Sequence, residues 1–408
     1  MRAANWLIAS GENLGHTTKM HFPLTPEAET PLQVAAGWNT SDDSAALDLP
    51  SRVLRILDAA ANRASEGLRV IEDYVRFALD DWHLTTQLKS LRHDLTAILS
   101  NIDRGERIAA RESQGDVGAD AKLAGELARQ DVAQVITASF QRLQQALRSL
   151  EEFSKLSNAA AARRFEQLRY RVYTIERAVE LTGSSLCRLA HARLYVLVDG
   201  GRSEDAFRLL AESLVGAGVP LVQLREKSLD DRTLLARARL LREITRGSQT
   251  LLIINDRADL AMLADADGVH VGQQELSVKD ARALVGPRRL VGVSTHSIEQ
   301  ARQAVLDGSN YIGIGPTFPG RTKQFPAFPG LDFVRAVSHE IRLPAFAIGG
   351  ITLENLGEVL ASGATRACVS AAVCGATDPA AAARAFLAHL PARSDSISPS
   401  TSVSVPGE

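Results

Sequence analysis

Three polar side chains recur at every second position in one short stretch of the chain. The stretch reads Gln223-Leu-Arg-Glu-Lys227. In a β-strand, Gln223, Arg225 and Lys227 would share one face, because side chains alternate along a strand. Two cations and an amide on one face indicate a polyphosphate clamp with a group that reads a heterocycle. The alternative is a solvated strand end, where Arg225 and Lys227 would repel each other without an anion between them.

Two carboxylates follow the next apolar runs of the sequence. Asp256 lies in Ile254-Asn-Asp-Arg257, and Glu275 ends Val271-Gly-Gln-Gln-Glu275. Carboxylate oxygens that face a basic clamp predict a Mg²⁺ site, since Mg²⁺ keeps several waters and binds together with substrate phosphates. We therefore predict Asp256 and Glu275 as metal ligands. A structural salt bridge between Asp256 and Arg257 is the alternative.

Later strand ends supply hydroxyl groups and backbone N–H groups. Ser294 lies in Val293-Ser-Thr-His296 and offers a hydroxyl to a ligand. The segments Ile348-Gly-Gly-Ile351 and Val369-Ser-Ala371 would follow the seventh and eighth strands of a barrel. In such barrels the loops after these two strands commonly hold a phosphate through backbone N–H groups. The sequence therefore predicts a second anion site, built from backbone.

One loop and two histidines complete the candidate groups. The segment from Gly315 to Lys323, with the Pro-rich residues up to Gly330, is long and cationic. It predicts a lid that closes over a charged substrate and excludes water. His270 and His296 are interpreted as packing or loop residues, so no histidine is predicted to be a catalyst.

Eight short apolar runs must position these groups, and amphipathic helical stretches separate them. The runs are Leu194–Asp199, Leu221–Glu226, Leu251–Asp256, Gly268–Gly272, Leu290–Ser294, Tyr311–Pro316, Ala345–Gly350 and Ala367–Ala371. Strands that alternate with helices in this way predict an α/β fold, the (β/α)8 TIM barrel. A doubly wound open sheet is the competitor, but the first run lacks the glycine fingerprint that usually follows it in that fold.

The preceding half is predicted to be helical and internally duplicated. From Arg52 to Leu181 the apolar residues recur at intervals of three and four. Arg63–Tyr74 matches Arg142–Phe153, and Leu91-Arg-His93 similarly matches Leu168-Arg-Tyr170. A repeated hairpin whose copies cover each other's apolar stripes predicts a pseudo-twofold four-helix bundle.

Two interpretations stay open in the helical half. Arg69 with Glu72 and Asp73, and Arg148 with Glu151 and Glu152, are spaced as ordinary i,i+3 and i,i+4 surface ion pairs of a helix, which is the alternative to any special role. The loop Arg111–Gly118 either holds a phosphate through Arg111 and backbone N–H groups or simply connects the two hairpins.

Composition limits the classes of function. Of the 408 residues, 45% are hydrophobic and 23% charged, and the formal net charge is −2, so nothing pulls the whole chain toward nucleic acid or a membrane surface. Three cysteines without metal-ligand spacing favour a reducing compartment, and we expect a cytoplasmic protein. No apolar run reaches the length of a signal sequence or a membrane span. The oligomeric state is open, a homo-oligomer included.

The predicted domain organisation has five parts. Residues 1–50 form a disordered extension, 51–183 the helical bundle domain, 184–190 a linker, 191–391 the barrel, and 392–408 a disordered tail rich in Ser and Pro. Met20 is an alternative start to Met1.

As a set, the motifs of the C-terminal half resemble those of thiamine phosphate synthase. The segments Gln-Leu-Arg-Glu-Lys, Ile-Asn-Asp-Arg, Gly-Val-His-Val-Gly-Gln, Val-Ser-Thr-His, Gly-Pro-Thr-Phe-Pro with the later Thr-Lys, and Ile-Gly-Gly-Ile occur in that family's order and spacing. The resemblance covers about half of the chain. It implies condensation of hydroxymethylpyrimidine diphosphate with hydroxyethylthiazole phosphate, or its carboxylated form, to thiamine phosphate and pyrophosphate.

The resemblance also assigns residues to roles. The pyrimidine diphosphate would be held by Gln223, Arg225, Lys227, Asn255, Ser294 and Lys323. The Mg²⁺ cofactor would be held by Asp256 and Glu275, and the thiazole phosphate by Thr322, Gly350 and the backbone of Val369 and Ser370. Arg225, Lys227 and Lys323 would be catalytic, since together with Mg²⁺ they stabilise charge on the departing pyrophosphate. The thiazole nitrogen would then attack the methylene cation that remains.

The sequence departs from the family pattern at two positions. Glu275 stands where the family usually has Asp, which adds a methylene and makes direct metal coordination there less secure than at Asp256. Gly320 stands where Thr is common, which removes a hydroxyl from the thiazole phosphate site. Two rival functions are a thiazole tautomerase, which would need neither clamp nor metal, and a non-catalytic sensor of thiamine phosphate.

The helical half resembles the domain that precedes thiamine phosphate synthase in some bacteria. That resemblance implies a role in supplying the phosphorylated pyrimidine, as a pyrimidine phosphate kinase or a binding module. The segment carries no Walker-type phosphate loop, which weakens the kinase hypothesis. Dimerisation is the other interpretation.

Overall fold

In the part of the chain that the structure describes, five α-helices precede the first strand. The structure, a computed structural model, describes residues 49–112, 129–319 and 328–392. The helices are α1 (Leu49–Tyr74), α2 (Trp82–Leu99), α3 (Arg104–Ala109), α4 (Val132–Ser154) and α5 (Ala159–Arg188), and a single π-helical turn, Val75–Leu79, joins α1 to α2. Within the described ranges, no helix has the length and apolar character needed to cross a membrane.

The first four long helices form two hairpins that pack on each other. Their shared interior is aliphatic, with contacts among Leu68, Leu91, Leu95, Leu143, Leu147, Leu168 and Val172. Gly67 of α1 lies against the backbone of α4, where an added Cβ would meet the Ser139 carbonyl oxygen at 3.0 Å. The predicted duplicated hairpin is confirmed.

A buried ion pair repeats in the two hairpins. Glu72 accepts from Arg92 Nε at 3.1 Å, and Glu151 accepts from Arg169 Nε at 2.9 Å. Both carboxylates are buried, with exposed fractions of 1% and 3%. The predicted i,i+3 pairs are present, with Arg69 at 3.5 Å from Glu72 and Arg148 at 2.6 Å from Glu151. The two glutamates are not surface residues, however: each also joins the first helix of its hairpin to the second, because a buried carboxylate needs a charged partner.

The segment 184–190, predicted as a linker, is instead helical as far as Arg188. The last turns of α5 run along the second half of the chain. Arg177 donates to the Leu306 carbonyl at 2.7 Å, Asn310 Nδ2 donates to Ser185 Oγ at 3.0 Å, and Arg188 donates to the Arg288 carbonyl at 2.5 Å. These contacts stabilise the last turns of α5, which form part of the predicted linker. The rest of the division into domains stays a prediction.

The arginine of the predicted phosphate loop already has a partner. Arg111 donates through Nε to Asp58 at 2.7 Å, and Arg107 lies 3.7 Å from the same carboxylate. Asp58 is buried, so this pairing compensates a charge inside the protein. The contact favours the connecting-loop interpretation for Arg111; residues 113–118 of that loop lie outside the described ranges.

Eight parallel strands follow and close into a barrel in sequence order. They are β1 (Leu194–Val198), β2 (Leu221–Leu224), β3 (Leu251–Asn255), β4 (Gly268–Val271), β5 (Leu290–Thr295), β6 (Tyr311–Ile314), β7 (Ala345–Ile348) and β8 (Ala367–Val369). All eight start at the predicted residue. Most end one or two residues earlier than predicted, because the polar residues at their carboxyl ends leave the ladder and form the rim. The predicted TIM barrel is confirmed.

Helices cover the outside of the barrel. They are α6 (Glu204–Gly216), α7 (Asp231–Thr245), α8 (Ala258–Leu263), α9 (Val278–Val285), α10 (Ile298–Asp307), α11 (Gly330–Glu340), α12 (Leu356–Ala361), α13 (Ala371–Cys374) and α14 (Pro379–His389). Side chains of Ser203, Asp230 and Ser297 cap α6, α7 and α10 by accepting backbone N–H groups. Such caps satisfy donors that the first helical turn leaves unpaired.

Aromatic side chains fill the inside of the barrel. Tyr195, Tyr311 and Phe346 are almost fully buried there and meet edge to face, with ring centroids 5.2–5.8 Å apart. Gly292 lies beside Tyr311 in the β5–β6 register, and an added Cβ would stand 2.1 Å from the Tyr311 ring. Glycine is thus required here because the tyrosine ring occupies its side-chain space.

Asp81 ties α2 to the barrel, and its removal should destabilise the protein more than the loss of an ordinary cap. Its carboxylate is buried and accepts the Leu84 N–H at 2.7 Å and the Arg342 N–H of the barrel at 2.8 Å. We expect Asp81→Ala to lower the free energy of unfolding by about 2–4 kcal/mol, because a cap and a buried donor's partner are lost together. Urea unfolding of the full chain measures this.

The matched control is Asn158→Ala at the corresponding cap of the second hairpin. The Asn158 side chain accepts the Ala161 N–H at 2.9 Å, which is a cap within one helix, so we expect a loss of about 1 kcal/mol. Equal losses for the two variants would contradict the bridging role of Asp81.

Candidate active site

Lys227 of the predicted basic clamp meets the two predicted metal ligands at the carboxyl ends of β2, β3 and β4. Lys227 Nζ lies 3.2 Å from Asp256 Oδ2 and 4.0 Å from Glu275 Oε1. Arg225 follows β2 directly, and its N–H donates to the Val198 carbonyl at 2.8 Å. Two carboxylates and one ammonium group therefore share one point on the rim, as reasoning from strand ends predicted.

Glu226, which the sequence analysis passed over, fixes the loop that carries Lys227. Its carboxylate accepts the N–H groups of Gly200 at 3.0 Å, Lys227 at 2.7 Å and Ser228 at 2.6 Å. Hydrogen bonds from the Ser228 side chain and from these backbone groups lower the pKa of Glu226 to about 2. The charged carboxylate therefore orders the β2 loop across the whole neutral range.

Asp256 has an unusual backbone conformation that aims its side chain. Its φ is +60°, in the left-handed region that non-glycine residues seldom adopt. The Asp256 N–H donates to the His270 carbonyl at 2.7 Å, and Asn255 Nδ2 donates to Asp256 Oδ2 at 2.7 Å. The alternative salt bridge to Arg257 is wrong, since Arg257 pairs with Asp231 at 2.5 Å and Asp259 at 2.6 Å.

The carboxylates present fit a magnesium ion. Glu275 folds back against Gly272, where an added Cβ would stand 2.2 Å from Oε2, so both acidic groups reach the same ammonium nitrogen despite the longer Glu side chain. Among the described residues, no group of three or more His, Cys, Asp or Glu side chains could hold a metal on its own. Two oxygen ligands suit Mg²⁺, which takes one or two carboxylates and completes its shell with water and substrate phosphates.

Gln223 and Ser294 project into the barrel beneath this rim. Gln223 is 2% exposed, and its Nε2 donates to the Tyr195 hydroxyl. Ser294 Oγ lies 3.0 Å from His270 Nε2. Burial, and secondarily the charge of Arg225, lower the pKa of His270 to about 4, although Asp256 opposes the shift.

The two histidines differ from each other in setting. His270 is buried in the barrel and contacts a predicted substrate residue, so "packing residue" describes only part of its environment. His296 matches the loop interpretation better: its Nδ1 lies 2.6 Å from the Gly315 carbonyl oxygen.

The predicted phosphate residues lie at the ends of β7 and β8. These strands are paired, with Ile348 opposite Cys368. Gly350 has a φ of +65°, which glycine adopts readily. The Ser370 hydroxyl donates to the Leu197 carbonyl at 2.9 Å, which leaves its backbone as the group available to a phosphate. Thr322, Lys323 and Gly320 lie outside the described residues.

Known proteins resemble this chain in sequence over most of its length. A family model described as thiamine monophosphate synthase matches residues 194–373, which is the barrel. A thiamine-phosphate synthase of Rhodopirellula baltica is 46% identical over 353 residues, covering 84% of this chain and 94% of the relative. The chain belongs to the thiamine-phosphate synthase family. The predictions of family and of an enzyme in this transferase class are confirmed.

The match to thiamine-phosphate synthases extends beyond the barrel. A thiamine-phosphate synthase of Gloeobacter violaceus is 42% identical over 340 residues, covering 83% of this chain and 97% of that relative. A second family model, the ThiD2 family, matches residues 55–178 in the helical half. A solved thiamine phosphate pyrophosphorylase from Pyrococcus furiosus is 29% identical, with a TM-score of 0.45, and covers 50% of this chain and 98% of that one.

Three residues that the structure brings to this synthase site were missed by sequence reasoning. They are Glu226, which orders the clamp loop, and Tyr195 and Tyr311, which lie in the barrel below Gln223 and Ser294. The role of Glu226 could have been predicted, because a glutamate between two cations such as Arg225 and Lys227 rarely lacks a partner. The two tyrosines could not, because in the sequence they belong to apolar runs that indicate only strands.

Proposed function

We propose that the rim joins hydroxymethylpyrimidine diphosphate to hydroxyethylthiazole phosphate, or to its carboxylated form, and releases thiamine phosphate and pyrophosphate. One observation carries the proposal: Lys227 stands within 4.0 Å of both Asp256 and Glu275 at the strand ends. A cation held by two carboxylates beside Arg225 suits a diphosphate that brings its own metal ion.

The diphosphate would bind between the cations and the carboxylates. Arg225, Lys227 and, by sequence, Lys323 would contact its oxygens, because guanidinium and ammonium groups are strong donors to phosphate. Asp256 and Glu275 would hold Mg²⁺, which when bound supplies positive charge to the diphosphate oxygens. In this arrangement Lys227 exchanges its carboxylate partners for phosphate.

Catalysis would depend on charge rather than on proton transfer. The carbon–oxygen bond of the pyrimidine methylene breaks and its electron pair leaves with pyrophosphate, whose charge Arg225 and Lys227 stabilise. The methylene cation is delocalised into the electron-rich aminopyrimidine, and the thiazole nitrogen donates its lone pair to form the new carbon–nitrogen bond. No proton moves in either step, and the buried, neutral His270 suits that chemistry.

The two heterocycles would occupy different parts of the mouth. Gln223, Asn255 and Ser294 would hold the pyrimidine, because their amide and hydroxyl groups stand at the ends of β2, β3 and β5. Gly350 and the backbone of Val369 and Ser370, with Thr322, would hold the thiazole phosphate beside β7 and β8. The phosphate then fixes the thiazole nitrogen relative to the pyrimidine methylene.

We expect purified protein to release pyrophosphate only when both substrates and Mg²⁺ are present. The reason is that the thiazole must trap the cation before pyrophosphate returns to it. The measurement is a coupled pyrophosphate assay, with each substrate omitted in turn and with EDTA added in a separate arm.

The rival functions predict different results in the same assay. A thiazole tautomerase would change the thiazole phosphate alone, without pyrophosphate release. A sensor would bind thiamine phosphate in calorimetry but give no turnover with either substrate. Either pattern in the wild-type protein would overturn the proposed function.

A further inference from the structure

A continuous chain of hydrogen bonds connects Gln223 to Ser294 through the inside of the barrel. Gln223 Nε2 donates to the Tyr195 hydroxyl, whose oxygen lies 3.0 Å from that of Tyr311. The Tyr311 hydroxyl lies 3.3 Å from His270 Nδ1, and His270 Nε2 lies 3.0 Å from Ser294 Oγ. The chain thus crosses from β2 to β5 by way of β1, β6 and β4.

The three middle members are enclosed by the barrel. Tyr195 is 2% exposed, Tyr311 is fully buried and His270 is 8% exposed. Burial raises the pKa of both tyrosine hydroxyls above their usual value, so both keep their protons. Each polar atom depends on its neighbour in the chain because solvent has little access.

Counting protons gives the chain a direction. An amide nitrogen only donates, so Tyr195 accepts from Gln223 and must send its own proton to Tyr311. Tyr311 then donates to His270 Nδ1, which places the single imidazole proton on Nε2. That proton goes to Ser294 Oγ, and the Ser294 hydroxyl proton is left for a ligand.

We propose that Tyr195, Tyr311 and His270 are positioning residues that couple the orientation of the Gln223 amide to the donor role of Ser294. This inference rests on the proposed function, in which Gln223 and Ser294 hold the pyrimidine. The opposite amide orientation reverses every bond in the chain and turns Ser294 into an acceptor. The direction of donation along the chain therefore fixes the hydrogen-bonding roles of Gln223 and Ser294 together.

The polarity present suits an aminopyrimidine. With Nε2 turned toward Tyr195, Gln223 offers its carbonyl oxygen to the ligand and Ser294 offers a proton. An aminopyrimidine carries the complementary pair, an exocyclic amino donor and ring nitrogen acceptors. A ring with the reversed pattern, such as the corresponding hydroxypyrimidine in its keto form, would face an acceptor with an acceptor and be discriminated against.

The test interrupts the chain with Tyr311→Phe and with Tyr195→Phe, which remove one oxygen each and keep the rings. We expect the KM for the pyrimidine diphosphate to rise about tenfold in each variant, because the loss of one hydrogen bond at each end weakens binding of that ring. The KM for the thiazole phosphate should change less than about twofold, since its site lies at β7 and β8. Tyr170→Phe, an exposed position on α5, is the control and should match wild type.

A second measurement separates positioning from a merely structural role. In protein that already carries Gln223→Ala and Ser294→Ala, Tyr311→Phe should change KM by less than about twofold, because both ends through which it acts are gone. A structural role would give the same loss in this background as in wild type.

The outcomes are distinct. If wild type turns over and both phenylalanine variants match it, or raise both KM values equally, the coupling is wrong. If wild type itself releases no pyrophosphate from the two substrates, the proposed function fails instead. Should one variant not fold by circular dichroism, the other carries the test, because both interrupt the same chain.

Discussion

Asp256→Asn will slow pyrophosphate release by about 10²–10³-fold while the protein stays folded. The substitution removes one of two charged oxygen ligands that a magnesium ion would use, and losses of this size are typical when charge stabilisation of a transition state is removed. Asparagine is also well tolerated at positive φ, so the backbone at +60° is retained. The loss of rate will therefore reflect the missing charge of the Asp256 carboxylate and not a change in the backbone of its loop.

The chain offers a matched control for this substitution. Asp265 is also an aspartate in the left-handed region, with a φ of +52°, but it precedes β4 at the opposite end of the barrel, where it pairs with Arg289. Asp265→Asn should leave turnover unchanged.

A titration with Mg²⁺ completes the test of Asp256. We expect the Mg²⁺ concentration that gives half-maximal rate to rise in Asp256→Asn, since the remaining carboxylate, Glu275, holds the ion less well. An unchanged rate and an unchanged Mg²⁺ requirement would remove Asp256 from the metal site. A circular dichroism spectrum and a melting temperature of Asp256→Asn that match those of the wild type show that the fold is intact.

Lys227→Gln will have opposite effects on catalysis and on metal binding. In the structure the ammonium group lies between Asp256 and Glu275, where it occupies the position that a divalent cation would favour. Without it the two carboxylates repel each other and attract a cation more strongly. We expect Mn²⁺ to bind the substrate-free variant several-fold more tightly than wild type, while kcat/KM falls about 10²-fold because a charge that stabilises pyrophosphate is lost.

Electron paramagnetic resonance of Mn²⁺ and the pyrophosphate assay measure these two effects on the same sample. Lys279→Gln on α9 is the control, since Lys279 is exposed and lies outside the clamp. If metal affinity and kcat/KM fall together in Lys227→Gln, the lysine does not compete with the ion, and the exchange of partners proposed for Lys227 is wrong.

For the barrel, the sequence alone determined most of the fold. Short runs of β-branched and aliphatic residues that are bounded by turn residues are typical of buried strands. All eight strands accordingly begin at the predicted residues. Most of their ends were predicted one or two residues too late, because sequence patterns do not show where a residue leaves the hydrogen-bonded ladder. The helices of the first half were likewise predicted, from the 3.6-residue period of their apolar residues and from the internal repeat.

The end of α5, where the helical half meets the barrel, was not predicted from the sequence. Residues 184–190 have the weak period of a linker, yet α5 continues through Arg188. The reason is tertiary: carbonyl groups of Leu306 and Arg288 accept from arginines of α5, and Asn310 donates to Ser185. The partners that stabilise those turns lie 100 to 129 residues away in the sequence, where local propensity has no influence.

In the site, the sequence by itself determined which groups stand at the strand ends, because parallel strands of a barrel must present their carboxyl ends on one rim. Arg225, Lys227, Asp256 and Glu275 followed from that rule. Only the tertiary structure decided that Glu226 orders the clamp loop, that Arg111 and Arg257 are engaged elsewhere, and that Tyr195 and Tyr311 link Gln223 to Ser294. Those roles depend on barrel closure, which brings strands from across the sequence within hydrogen-bond distance.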